Sequence, residues 1–221
     1  MRRIGRYLPL GLLLACAQFA SGQGAFDAYV GVGATNVKSN RSGIDNLQSP
    51  NSLGSCDITA GDPFCQKTGA LKGVLMTFGG DVMVTKHFGF GANVSLQPAK
   101  QDYGALQYRQ LFYDFDGIYA PVVTKRVSLR LEGGAGGANT SFSLSQSSCV
   151  GTAVCSKSAQ SIGSASHFQV HAGVGLQFNV TNHIFIRPQF DYHYVPNFKD
   201  QFGSNSVPQG TLYIGYNFGE N

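Results

Sequence analysis

The chain is 221 residues long and carries 16 Lys and Arg against 12 Asp and Glu, a formal charge of +4, yet only 13% of it is charged. Three of the cations, Arg2, Arg3 and Arg6, lie at the N-terminus; without them the balance is +4 − 3 = +1, which leaves no basic cluster for phosphates and excludes a nucleic-acid partner. Gly (29), Phe (16) and Tyr (10) are abundant, and no apolar run is long enough for a membrane helix.

The first predicted element is an export signal. Arg2, Arg3 and Arg6 precede an apolar run from Leu8 to Ala20, and Ala20-Ser21-Gly22 offers small residues for cleavage. That pattern is a secretory signal peptide over residues 1–22, too short to span a membrane, with a single domain over 23–221. Leu13-Leu14-Ala15-Cys16 is the lesser alternative, a lipoprotein box behind a short apolar run. Four cysteines remain after cleavage: Cys56, Cys65, Cys149 and Cys155. Neither pair has the two-residue spacing of a zinc site, and an exported chain meets an oxidising compartment, so disulfides are expected. Four cysteines allow three pairings. The local one, Cys56 with Cys65 and Cys149 with Cys155, is favoured because each pair falls within one loop. No metal or other cofactor is expected.

Eight strands follow, and each alternates apolar with small or polar residues at a period of two. The first covers 26–35, the second 74–85, the third 88–97, the fourth 108–120 and the fifth 127–139. The sixth and seventh form the clearest hairpin. Phe168, Val170, Ala172, Val174, Leu176, Phe178 and Val180 alternate with Gln169, His171, Gly173, Gly175, Gln177 and Asn179. Thr181, Asn182 and His183 then turn the chain, and Ile184, Ile186, Pro188, Phe190, Tyr192 and Tyr194 oppose Phe185, Arg187, Gln189, Asp191 and His193. The eighth strand covers 210–218. Arms of about a dozen residues suit a tilted strand crossing a bilayer. No Lys lies inside either arm of the hairpin, so the apolar face is read as facing lipid and the polar face as lining a lumen. The alternative, a soluble lipocalin-type barrel, would need charged outward faces.

The connections sort by parity. Alternate ones run to about 38, 10, 28 and 15 residues, the others to about two, six and three, which is the asymmetry of external loops against periplasmic turns. A charge facing lipid at mid-strand costs about 2 to 4 kcal/mol, and none is placed there.

With these strands in hand, the chain resembles the small eight-stranded bacterial outer-membrane barrels of the OmpA transmembrane-domain and OmpX kind. The likeness rests on pattern, strand count, loop parity and the aromatic last strand Leu212-Tyr213-Ile214-Gly215-Tyr216-Asn217-Phe218, which resembles the signal read by the barrel-assembly machinery. Three residues, Gly219, Glu220 and Asn221, follow the last Phe, and Trp is absent, both departures from the pattern. The resemblance implies an all-β, up-and-down antiparallel barrel in the outer membrane. Its partners would be outer-membrane lipids and lipopolysaccharide, with the assembly machinery during biogenesis, and it would be a monomer. Ending at strand eight, the chain is expected to lack the periplasmic peptidoglycan-binding domain of some relatives.

The inward positions collect Asp81, Asp114, Asp116, Arg130, Glu132, Arg187 and Asp191. Folding strands four and five about 121–126 predicts Asp116 opposite Arg130 and Asp114 opposite Glu132; folding six and seven about Asn182 predicts His171 opposite His193 and Asp191 opposite Gly173. Buried charges must be matched, so the expected role is a structural ion-pair network that fills the barrel. Asp114-Phe115-Asp116 and Asp191-Tyr192-His193 also resemble the paired acidic and Asp-His elements of the omptin outer-membrane proteases. Counting residues above the turns, however, separates Asp116 from His193 by more than about 10 Å in height. No His-x-Ser or Asp-Ser element of barrel lipid hydrolases and acyltransferases is present in a strand. Gly133-Gly134-Ala135-Gly136-Gly137 is followed by no helix, so close strand packing is expected there rather than a phosphate cradle. The expected function is non-enzymatic, structural or in surface recognition through the long loops. A narrow ion-conducting pore is the alternative and a barrel hydrolase the lesser one.

Overall fold

The computed structural model of the chain describes residues 25–37, 43–45, 55–56, 65–67, 70–103, 106–150 and 154–219. The expected signal peptide over residues 1–22 and Cys16 lie outside them. The strands are β1 (Ala25–Val37), β2 (Gly43–Asp45), β3 (Ser55–Cys56), β4 (Cys65–Lys67), β5 (Leu71–Met83), β6 (Phe88–Leu96), β7 (Gln101–Tyr103), β8 (Leu106–Val123), β9 (Val127–Val150), β10 (Val154–Asn179), β11 (Ile184–Tyr194) and β12 (Ser206–Asn217), with one helical turn, α1 (Lys199–Phe202), ahead of the last strand. Eight of them close a ring in the order β1, β5, β6, β8, β9, β10, β11, β12, every neighbour antiparallel. β7 lies beside the start of β8, and β3, β2 and β4 make a separate small sheet.

Burial runs opposite to that of a soluble barrel. In β11 every second residue is buried, and all of those except Phe185 are polar: Arg187 is fully buried while Phe190 is 52% exposed. Phe90 and Phe115 are exposed to 68% and 69%. An apolar wall around a polar interior is stable only in hydrocarbon, which excludes the lipocalin alternative. At the periplasmic end, Phe26 packs on Phe218 at 5.5 Å between ring centres and Phe88 on Tyr119 at 5.0 Å, so Phe and Tyr supply the girdle where Trp is missing.

The three periplasmic turns share one device. Thr85, Thr124 and Thr181 each accept, through Oγ1, a hydrogen bond from the backbone N–H three residues on, that of Phe88 (3.0 Å), Val127 (3.0 Å) and Ile184 (2.9 Å). The hydroxyl replaces a backbone partner within the turn and fixes its length.

Two expectations need correction. The turn after the fourth barrel strand is shorter than 121–126, because β8 continues to Val123 through a bulge between Tyr119 and Val122. Pro121 has no N–H for the ladder and lies within that bulge. The pairing therefore shifts, and Asp116 faces Gly134 and Asp114 faces Gly136, not Arg130 and Glu132. The segment expected as a long fifth-to-sixth loop is instead strand: β9 and β10 are 24 and 26 residues long and pair as far as Val150 with Val154. Residues 140–167 contain no Pro, and their serines fall opposite one another, as in Ser148 with Ser156 and Ser143 with Ser161. This hairpin outruns its neighbours. β8 pairs with β9 only as far as Leu144, and β11 with β10 only as far as Val170. The pairs beyond Leu144 carry the hairpin a further ~20 Å at about 3.3 Å per residue. One Cα register pair sets Cys149 opposite Cys155, whereas Cys56 and Cys65 lie on the two strands that flank β2.

Candidate functional site: the barrel lumen

The interior is built in three layers. Nearest the periplasm, Asp81 is the hub. Its Oδ2 accepts from Arg130 Nη1 at 2.7 Å and Arg187 Nη1 at 2.8 Å, and its Oδ1 accepts from Tyr29 Oη at 3.0 Å. Arg130 also donates to Asp27, and Arg187 lies 3.5 Å from Glu132. The Arg187 guanidinium sits 4.3 Å from the centre of the Tyr29 ring and 5.1 Å from that of Tyr213, so cation–π contacts add to the ion pairs.

The second layer hangs from the first through Gln189, whose Nε2 donates to Glu132 at 2.9 Å and to Asp191 at 2.7 Å. His171 then bridges two carboxylates, with Nε2 3.1 Å from Asp191 and Nδ1 2.8 Å from Asp116. An imidazolium, with a donor at each nitrogen, satisfies both. Asn93 donates to the other oxygen of Asp116 at 3.2 Å, and Gln169 donates to Asp114. His193 stacks on His171 at 4.8 Å and lies 3.8 Å from Asp114 Oδ2.

β9 makes this layer possible by having no side chain at two places. Gly134 separates Asp116 from His171, and Gly136 separates Asp114 from Gln169. A Cβ at Gly134 would overlap Asp116 and the Phe115 carbonyl; one at Gly136 would overlap the Tyr113 carbonyl. The glycines let side chains of β8 reach over β9 to β10.

The third layer is apolar and closes the outer mouth. Phe112 stacks on His193 at 4.9 Å, and above it Tyr103, Tyr108, Phe142, Phe198 and Phe202 pack with Leu71, Leu75 and Val207. Tyr103 meets Phe142 at 5.3 Å and Phe202 at 5.5 Å, and Tyr108 meets Phe202 at 5.0 Å. α1 carries Phe202 and follows Phe198, and so lowers both rings into the barrel. From the other end, a vestibule of about 430 Å³ lined by Lys86, Thr124, Ser128, Gln177 and Asn179 leads up to Arg130 and stops there.

All seven expected network residues, Asp81, Asp114, Asp116, Arg130, Glu132, Arg187 and Asp191, are buried in the lumen, but two of the contacts differ from expectation. Arg130 pairs with Asp27 and Asp81 rather than Asp116, and His171 is the partner of Asp116. The expected height gap between Asp116 and His193 is also wrong. Both sit against His171, because the stagger of a closed barrel shifts each strand along its neighbour and residue counts from separate turns do not measure one axis. His171 opposite His193 and Asp191 opposite Gly173 are as expected. Asp27, Tyr29 and the aromatic plug were not anticipated as parts of the site. Tyr108 and Phe112 at inward positions, with Phe198 and Phe202 four residues apart, were its only trace in the sequence. Among the described residues, no group of three or more His, Cys, Asp and Glu is arranged to hold a metal.

A closed eight-stranded ring, apolar outside, charged inside, with threonine turns at one end and extended connections at the other, defines a small outer-membrane barrel. The chain belongs to the family described as outer membrane protein beta-barrel domain, whose model matches residues 8–219. Among solved structures it is similar to Ail, the attachment invasion locus protein of Yersinia pestis, solved in complex with the heparin analogue sucrose octasulfate, with 16% identity, 89% of this chain and 99% of that chain covered, and a TM-score of 0.52. OprG of Pseudomonas aeruginosa aligns with 12% identity over 89% of this chain and 96% of its own, at a TM-score of 0.48. Neisserial surface protein A aligns with 14% identity over 87% and 97%, at 0.47. At these identities the likeness is one of fold. No curated protein matches the chain.

Proposed function

We propose that this protein is a non-enzymatic, non-conducting barrel that serves to hold the β9–β10 hairpin out from the outer membrane as a surface for recognition. The observation that carries this reading is the edge of β10. From Val154 to Gln169 it is hydrogen-bonded to β9 on one side and pairs with no described strand on the other. An open strand edge is a template on which an extended partner segment adds by main-chain hydrogen bonds. The lumen supports the same reading, since two barriers in series, the Arg130 layer and the aromatic plug, stand between the vestibule and the outside. Export by a cleaved signal peptide over residues 1–22 and a mature start near Gln23 belong to this proposal. The test is a chain in which residues 145–160 are replaced by a two-residue turn. Cells displaying it should fold the barrel, judged by heat-modifiable gel migration, and lose attachment to host-cell or matrix surfaces that the full-length protein supports. Equal attachment by both would dismiss the hairpin.

A second reading rests on one observation, that Asp114, Asp116, Asp191, His171 and His193 converge within the second layer. Acid–base chemistry there would need the plug to lift. Hydrolysis of peptide or lipid A by purified protein, lost in His171→Ala, would favour it.

A further inference from the structure

The outer wall carries an interruption that the lumen does not explain. Around the barrel, register pairs set Val74 beside Ala34, Ala34 beside Gly210, Gly210 beside Phe190 and Phe190 beside Val174. All five point outward. Ala34 and Gly210, the two smallest, stand side by side between Val74 and Phe190, and a Cβ on Gly210 would meet nothing within 4 Å. The result is a groove of about 760 Å³, lined below by Val32, Leu212 and Pro188, in which only apolar outward side chains meet the surroundings. Its floor is about two strands wide, roughly 10 Å at about 4.8 Å per strand. That takes an acyl chain.

The row above the groove is different. It sets Lys72 beside Asn36 and Pro208 beside Tyr192, at the level where an aromatic girdle marks the outer interface. Lys72 is exposed on the same face as Val74, one outward position higher, roughly 7 Å along the strand. It forms no ion pair among the described residues. A cation with no ion pair among the described residues, directly over an apolar notch, is the complement of an anionic headgroup over a hydrocarbon chain. The described barrel strands of a second copy would bring no carboxylate to Lys72, because their Asp27, Asp81, Asp114, Asp116, Glu132 and Asp191 all point inward.

We infer that this part of the wall is a seat for one phosphate-bearing lipid of the outer leaflet, its phosphate at Lys72 and one acyl chain in the notch over Ala34 and Gly210. The inference rests on the outer-membrane placement of the barrel and is independent of what the hairpin does. Lysine near a membrane surface contributes about 1 kcal/mol to an anionic lipid, a factor of about five. The test is native mass spectrometry of the full-length protein in detergent with added lipid A, phosphatidylglycerol or diacylglycerol, for the wild type, Gly210→Leu and Lys72→Gln. The wild type should keep one phosphate-bearing lipid. Lipid A alone assigns a phosphorylated glycolipid, and both assign any phosphate-bearing lipid. Gly210→Leu fills the notch and should lose all three lipids. Lys72→Gln should weaken retention of lipid A or phosphatidylglycerol about fivefold and leave diacylglycerol unchanged. Ala34→Leu repeats the notch test if Gly210→Leu does not show heat-modifiable folding. Wild-type protein without a retained phosphate-bearing lipid, or equal retention by the notch variants or by Lys72→Gln, overturns the site.

Discussion

Arg130 on β9 and Asp81 on β5 meet at 2.7 Å, although β8 and β6 lie between their strands in the wall. The contact crosses the lumen and so ties together parts of the ring that no backbone ladder joins. Arg130→Ala takes the guanidinium from Asp27 while Asp81 keeps Arg187 and Tyr29. Breaking a buried pair from one side typically costs about 3 to 5 kcal/mol, and the vestibule that reaches Arg130 lets water offset part of it, so about 3 kcal/mol is expected. Urea titration of the folded, fast-migrating gel band measures this. A change under about 0.5 kcal/mol would mean that water screens the pair completely.

Conductance should depend on two barriers, not one. Wild type and Arg130→Ala are both expected to be silent in planar bilayers, because the aromatic plug remains. Phe198→Ala with Phe202→Ala removes two rings from the plug, and adding Arg130→Ala to them should open a measurable leak. Steady wild-type current would contradict the plug as a seal.

Gly136→Val should prevent the barrel from forming. Its Cβ has no place beside the Tyr113 carbonyl, and a shift of β9 would also pull Asp114 away from Gln169. The readout is loss of heat-modifiable migration. Gly210→Leu on the outer wall should leave that migration intact, which separates a lumen requirement from a general intolerance of side chains at strand glycines.

Cys149 and Cys155 are Cα register partners near the tip of the hairpin, which suits a cross-strand disulfide. Non-reduced peptide mapping should find them joined. A Cys56–Cys65 bridge has to close over β2, which lies between their strands, and the same map decides whether it exists.

How far the sequence carried these conclusions depended on whether a feature was local. The alternation of Ile184 to Tyr194 against Phe185 to His193 is local, and β11 has those bounds. The network membership of Asp81, Glu132 and Arg187 was legible because parity alone decides which way a side chain points. The partner of Arg130 was not, since the turn lies at 124–126, later than the pattern placed it, and together with the bulge at Pro121 this displaces the pairing of two strands. The separation of Asp116 from His193 was misjudged for a related reason, the stagger that only closure of the ring sets. The hairpin beyond Leu144 was hidden by its serines, which read as loop until they are seen to pair. The shared turn of Thr85, Thr124 and Thr181 was present as a spacing of three to a following Phe, Val or Ile, but a single hydroxyl bond has no hydrophobic period to announce it.

Asp27 lies on β1, which pairs with β12 to join the two ends of the chain into the ring. Its partner Arg130 reaches it from β9, several strands away from that join on either side. An unzipping of β1 from β12 would therefore have to drag a carboxylate off a guanidinium inside the lumen before the backbone bonds of the join could part. The ion pair acts as a latch on the seam, so the join of the first and last strands is held from inside the lumen as well as by its own ladder.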